Sequence, residues 1–96
     1  MTKITHKSYC GCYSIHAEGH ASGSKEVCAA ISGILYALKG YLLNAEADIK
    51  QADLSEANAH IVFYGGLEAK SVYQMTVIGL AQIANSFPEY ASIQEI

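Results

Sequence analysis

Apolar residues recur with a period of two near the start of the chain, and this period predicts β-strands. The two stretches are TKITHKS, residues 2–8, and CYSIHAEGH, residues 12–20, and the Cys-Gly pair at 10–11 predicts the turn between them. Residues 45–65 predict a second strand pair, because HIVFY is strongly apolar. The glycine pair at 65–66 ends that pattern.

Two other stretches follow the period of 3.6 residues that predicts amphipathic helices. The first begins at Lys25 and ends near Leu43–Asn44, and the second ends before Pro88, because proline disfavours a helix before it. Their apolar positions are Val27, Ile31, Ile34, Leu35, Leu38 and Leu42 in the first, and Val72, Met75, Thr76, Gly79, Leu80 and Ile83 in the second. The order ββαββα predicts a single two-layer α+β domain over residues 1–96, with two helices on one face of a mainly antiparallel sheet.

Composition and charge exclude several classes of function. A chain of 96 residues with 51% apolar residues can bury a core as one domain. The net charge of −3 builds no basic stripe, so we expect no nucleic-acid partner. MTKITHKSYC lacks the form of a signal peptide, and we expect no membrane-spanning run and no membrane partner. An odd number of cysteines, three, predicts reduced thiols and a cytoplasmic location.

The stretch GHASGSKEVCAA, residues 19–30, holds the candidate chemistry. Ser24 is typical of a helix N-cap, and Glu26 in the first turn suits the helix dipole. Cys28 ends this turn, where the partial positive charge of the unsatisfied N–H groups favours a thiolate. His20 leaves the preceding strand, and seven intervening residues, rich in glycine and serine, can double back to bring imidazole to sulfur. These residues are compatible with a Cys–His nucleophilic pair.

An ordinary strand-to-helix turn is the alternative interpretation of the same residues. Cys28 would then be a packing cysteine, and His20 a turn histidine bonded to the backbone. In the catalytic interpretation, Gly19 lets a substrate backbone come close. Ser32 lies one turn after Cys28 on the same helix face, where it either donates to the site or bonds to the preceding turn.

The sequence GHA, followed by a short polar loop and EVCAAIS, resembles the signature of the Prp family, the ribosomal-processing cysteine proteases. In that family a Gly-His-Ala strand end precedes a small-residue loop and a helix that opens with cysteine, two small residues, an aliphatic residue and serine. Here those positions are Gly19, His20, Ala21, Cys28, Ala29, Ala30, Ile31 and Ser32. The inferred element order, the second helix running to FPEY and the tail SIQEI also resemble the family, so the likeness covers nearly the whole chain.

The resemblance implies a small homodimeric endopeptidase of the bacterial cytosol. Such enzymes trim the N-terminal extension of a large-subunit ribosomal protein before its assembly. Carried over by position, Cys28 is the nucleophile and His20 is the general base. Gly19, Ala21 and Ser32 become supporting or substrate-binding positions. We therefore expect a protein substrate and no cofactor.

Two features depart from the ribosomal-processing members. The loop between His20 and Cys28 is several residues shorter, and Lys25 stands where those members tend to carry an aspartate. Shorter forms are similar to relatives from phage or prophage, so a phage protein is the alternative substrate. The alternative function is a noncatalytic dimeric module that binds a peptide or a protein on the same fold.

A zinc site is the competing hypothesis, and its candidate ligands are Cys10, Cys12, His16 and His20. Paired zinc cysteines usually have two to four residues between them, whereas one residue separates this pair. On a strand, His16 and His20 would lie roughly 13 Å apart at about 3.3 Å per residue, too far to share an ion without a bend. We therefore predict no metal site.

Overall fold

The computed structural model of the protein describes residues 1–19, 24–55 and 57–96. Within those ranges the chain forms five strands and two helices. In chain order they are β1 (Thr2–Tyr9), β2 (Cys12–Glu18), α1 (Lys25–Asn44), β3 (Asp48–Ser55), β4 (Asn58–Tyr64), α2 (Leu67–Ser86) and β5 (Ala91–Glu95). The predicted α+β fold and its ββαββα order are confirmed, and β5 is an additional strand that the sequence prediction did not include.

The strands form one mixed sheet in the order β3-β4-β2-β1-β5. The pairs β1–β2, β2–β4 and β3–β4 are antiparallel, whereas β5 runs parallel to β1 from Thr2↔Ala91 to His6↔Glu95. A parallel neighbour needs a crossover connection, and α2 lies in the connection that brings the chain back to β1. The five residues of β5 show too little alternation to predict a strand, so it is the pairing with β1 that defines it.

Both helices pack on the same face of the sheet, and the core lies between the two layers. Alternate residues of the central strands point to this face. Ile4, Ile15, Ile61 and Phe63 are the most deeply buried of them, each 1% exposed or less. The buried residues of α1 are Val27, Ile31, Leu35, Leu38 and Leu42. The core face predicted for α1 is therefore confirmed, with Ile34 of the predicted set half-buried at its border.

The buried face of α2 agrees only in part with the predicted one, since two of the six predicted residues are fully buried. Met75 was expected in the core but is 69% exposed. Tyr73 takes its place, because its ring packs on Tyr13 with 5.0 Å between centroids and its hydroxyl bonds to Nδ1 of His6 at 2.7 Å. A tyrosine whose hydroxyl finds a partner can be buried, and this anchor sets the rotation of the helix. The buried residues of α2 are Tyr73, Thr76, Leu80 and Ala84.

The helix α1 is long and apolar enough, by length and composition, to cross a membrane, with a mean hydropathy of 1.4. The expectation that the sequence contains no such run is therefore wrong. Core helices of globular domains share these two properties. In this fold α1 buries its apolar stripe against the sheet.

Candidate active site

The first turn of α1 is fixed by its N-cap. Ser24 has an extended backbone, and its Oγ accepts a hydrogen bond from the N–H of Val27 at 3.2 Å. The carbonyl of Ser24 accepts from the N–H of Cys28 at 3.3 Å. The cap predicted from the sequence is thus present, and it fixes the backbone that carries Cys28.

A cleft of about 360 Å³ lies between α1 and one end of the sheet. Its α1 wall contains Cys28, Ile31, Ser32, Leu35 and Tyr36. Its sheet wall contains Thr2, Ala17, Gly19, Leu54, Ser55, Ala57, Asn58 and Ala59. Buried apolar side chains line its depth, whereas the serines and Asn58 add a few polar groups. Apolar walls with a few polar groups are typical of a ligand-binding site.

Cys28 packs against the core on one side and lines the cleft on the other. It is half-buried, so a ligand in the cleft can reach it, as a nucleophile requires. Ser32 lies on the same wall, one turn later, and is exposed. The structure brings these two predicted residues to one cleft, and their chemical roles stay predictions.

Gly19 ties the end of β2 to two neighbouring segments. Its N–H donates to the carbonyl of Ala57 in the β3–β4 turn at 2.8 Å, and its carbonyl accepts from Oγ1 of Thr2 at 3.4 Å. Its φ of +88° and the carbonyl of Met1, which a Cβ would approach to 2.5 Å, both require glycine. The role found for Gly19 is therefore a backbone role at the cleft wall.

The predicted residues His20 and Ala21 directly follow Gly19 and lie outside the described residues. The chain leaves β2 at the cleft that contains Cys28, because Gly19 is part of that wall. The proposed pairing of His20 with Cys28 stays a prediction from the sequence.

No protein-family model matches the chain, and no curated protein matches it by sequence. Solved structures match it over its full length. The essential ribosomal processing protease Prp from Staphylococcus aureus, in complex with a covalently linked product peptide, has a TM-score of 0.82 at 20% identity, with 100% of both chains covered. Its complex with a substrate peptide has a TM-score of 0.77 at 15% identity, and a hypothetical protein from Staphylococcus aureus has 0.74 at 16%, again over both full chains. The chain has the Prp fold. The resemblance predicted from GHA and EVCAAIS is thus confirmed at the level of the fold.

On the face of the Prp fold opposite the helices, two histidines lie side by side. His16 of β2 and His60 of β4 are direct cross-strand partners, and their ring centroids are 4.9 Å apart. Nε2 of His16 bonds to Oδ1 of Asn58 at 2.7 Å, and Nε2 of His60 bonds to Oγ of Ser14 at 3.3 Å. Sequence reasoning missed this cluster, because only the strand register brings residues 16 and 60 together.

The structure gives no support to the zinc hypothesis. Cys10 lies exposed in the β1–β2 turn, while Cys12 and His16 lie on the strand that follows. Across residues 1–19, 24–55 and 57–96, no three His, Cys, Asp or Glu side chains come together as a metal site. His20, the fourth proposed ligand, lies outside those ranges.

His60 makes stability depend on pH. Burial, and then the nearby charge of His16, lower the pKa of His60, whereas Asp53 acts in the opposite direction. Between the lowered folded pKa and the unfolded value of about 6.5, the unfolded chain binds more protons. The contribution of His60 is therefore fully present above this window, and it is lost as the pH falls through it.

We expect the free energy of unfolding of His60→Gln to fall less than that of the wild type when the pH drops from about 7 to about 5. Urea unfolding of both proteins across this range measures the difference. Parallel pH profiles would contradict the assignment, since the carboxylates common to both proteins contribute equally to each.

Proposed function

We propose that this protein is a cysteine endopeptidase in which Cys28 is the nucleophile and His20 the general base. The observation that carries the proposal is the position of Cys28, on the first turn of α1 and in the wall of a cleft. The proposal is supported by the fold, since the Prp structures from Staphylococcus aureus are of a protease with a substrate peptide and with a covalently linked product peptide.

The chemistry follows the usual two steps of a thiol nucleophile. The Cys28 sulfur attacks the scissile carbonyl carbon, and His20, holding the thiol proton, protonates the leaving amine as the peptide bond breaks. Water then hydrolyses the thioester and frees the thiol. The N-cap uses the N–H of Val27, and no described residue accepts from the N–H groups of Lys25 and Glu26. Those two donors are the candidates to bind the developing oxyanion.

The proposed substrate is the N-terminal extension of a large-subunit ribosomal protein. This choice is supported by the two Prp structures, which are of a ribosomal processing protease. The short connection between His20 and Cys28 favours a phage protein as the second candidate substrate. We further propose that the enzyme acts as a homodimer in the cytoplasm.

The first experiment is intact-mass spectrometry of a peptide that copies the extension junction of a large-subunit ribosomal protein. We expect the wild type to cleave it at a single bond and His20→Ala to leave it intact. A wild type that leaves the peptide intact contradicts the ribosomal substrate. Cleavage by His20→Ala at the wild-type rate contradicts the dyad.

Thiol alkylation separates an enzyme from a noncatalytic binding module on the same fold. A Cys–His pair predicts that iodoacetamide modifies Cys28 faster than Cys10 and Cys12 near neutral pH, and that His20→Ala slows only Cys28. Cys10 is exposed and so serves as an accessible reference thiol within the same chain. Equal alkylation rates at Cys28 and Cys10 would contradict the proposed enzymatic function.

A further inference from the structure

The outer edge of β3 continues the cleft that contains Cys28. β3 is the first strand in the sheet order, so among the described residues its outer side has no neighbouring strand. Leu54 and Ser55, its last two residues, lie in the wall of the cleft, and Ser32 and Tyr36 of α1 lie in the other wall. A ligand that reaches Cys28 therefore lies next to an unpaired strand edge.

The main-chain groups of β4 alternate between its two neighbouring strands, as they do in any antiparallel sheet. The N–H of Gly19, at the end of β2, donates to the carbonyl of Ala57 at 2.8 Å. Since the register of β2 against β4 is regular, the odd-numbered residues of β4 direct their main-chain groups to β2. Asn58 and His60 therefore direct theirs to β3.

This alternation determines which main-chain groups of β3 point to its outer edge. The residues of β3 opposite Asn58 and His60 are Ser55 and Asp53, so the main-chain groups of these two bond to β4. The alternate residues, at positions 54 and 52, direct their N–H and C=O groups outward. Two donors and two acceptors are thus available at the end of β3 that meets the cleft.

The other end of β3, and the other edge strand, have features that discourage the addition of a further strand. A bulge lies between Ile49 and Gln51, and the extra residue, Lys50, is exposed. Bulges and lysines are common means by which edge strands resist pairing with another chain. β5, at the opposite edge of the sheet, is short, with five residues. The regular part of β3 is therefore the part that meets the cleft.

We propose that a peptide bound in the cleft adds to β3 as a further strand, and that it bonds to the main-chain groups of Ala52 and Leu54. The inference rests on the proposed function, which supplies the peptide. An extended peptide presents N–H and C=O groups whatever its sequence, and an exposed strand edge can pair with every second residue of it. Side chains of the added strand on the helix side would face Tyr36 of α1, which is 63% exposed.

The test uses the junction peptide and the Cys28→Ser protein, which keeps the cleft but lacks the thiol. N-methyl groups are placed one at a time along the peptide, and each removes a single main-chain donor. Fluorescence anisotropy of the labelled peptides measures Kd. We expect N-methylation to raise Kd by about tenfold at alternate residues and to change it little at the residues between them. Those residues are the internal control, because their N–H groups point away from β3.

A proline in β3 tests the edge itself. In the same Cys28→Ser background, Ala52→Pro removes an outward N–H and no bond to β4, so the urea midpoint should change little while Kd rises by about tenfold. Glu95→Pro is the matched control in β5. The N–H of Ile96 donates to the carbonyl of His6, so the N–H of Glu95, one residue earlier, points away from β1. We expect Glu95→Pro to bind the peptide with the Kd of the Cys28→Ser protein.

The outcomes separate this inference from the proposed function. A peptide that does not bind, equal Kd values along the N-methyl series, or equal Kd values for the two folded proline variants would each overturn the inference. If the wild type also cleaves the unmodified peptide, the proposed function stands without it. Alternating Kd values and weaker binding by Ala52→Pro, with no cleavage by the wild type, would contradict the endopeptidase and retain the added strand. If Ala52→Pro lowers the urea midpoint, the N-methyl series alone decides.

Discussion

Cys28→Ser is expected to lower turnover of the junction peptide by at least about a thousandfold. A serine hydroxyl has the same shape as a thiol and is somewhat smaller, so the first turn of α1 and the cleft should be retained. At neutral pH, however, a hydroxyl is a far weaker nucleophile than a thiol, and a base that activates a thiol does not activate a hydroxyl equally. Single-turnover mass spectrometry of the variant and the wild type measures the loss.

The other two cysteines provide the control. Cys10 lies exposed in the β1–β2 turn, and Cys12 is half-buried at the start of β2, so neither lines the cleft. We expect the double variant Cys10→Ser/Cys12→Ser to cleave at the wild-type rate. Turnover that survives in Cys28→Ser would show that Cys28 is not the nucleophile. Turnover lost in the folded double variant would show that Cys28 is not the only cysteine that activity requires.

The start of α1 could be predicted from the sequence because its signals are local. A serine cap, an acid in the first turn and an apolar stripe all lie within a few turns of one another. The structure places the helix at Lys25–Asn44 with Ser24 as its cap, as those signals indicate. Cys28 could therefore be assigned to the first turn with no knowledge of the rest of the fold.

The strand β5 and the rotation of α2 depend on contacts between distant parts of the chain. Ala91–Glu95 becomes a strand because β1 offers an edge to pair with. Tyr73 turns into the core because its ring packs on Tyr13 and its hydroxyl shares a hydrogen bond with His6. Periodicity within α2 cannot detect either partner, so the pattern put Met75 in the core.

The contacts among His16, His60 and Asn58 could not be predicted from the sequence for the same reason. His16 and Asn58 are 42 residues apart in sequence. Their contact depends on the register of β2 against β4, and a shift by one residue would turn His60 to the other face of the sheet. Sequence reasoning therefore tested His16 against its neighbours in the chain and missed the partners across the strands.

Gly19→Ala is expected to destabilise the fold by about 2–3 kcal/mol and to lower turnover beyond what the lost stability explains. An alanine would have to adopt a φ of +88°, and its Cβ would lie 2.5 Å from the carbonyl oxygen of Met1. Relief of this contact would strain the bonds of Gly19 to Ala57 and Thr2, which hold the end of β2 at the cleft. His20 follows directly, so we expect the proposed pairing of His20 with Cys28 to be weakened as well.

Gly40→Ala is the matched control, because this glycine lies within α1 and an added Cβ meets nothing within 4 Å. It should stabilise the protein by about 0.5–1 kcal/mol, since alanine is the better helix former. Urea unfolding gives both free energies, and turnover is compared at a temperature at which all three proteins are folded. If Gly19→Ala unfolds at the urea midpoint of the wild type, the end of β2 can move away from Met1 with no loss of stability. Turnover should then also be unchanged, because the contacts of Gly19 would not be what the proposed pairing of His20 with Cys28 depends on.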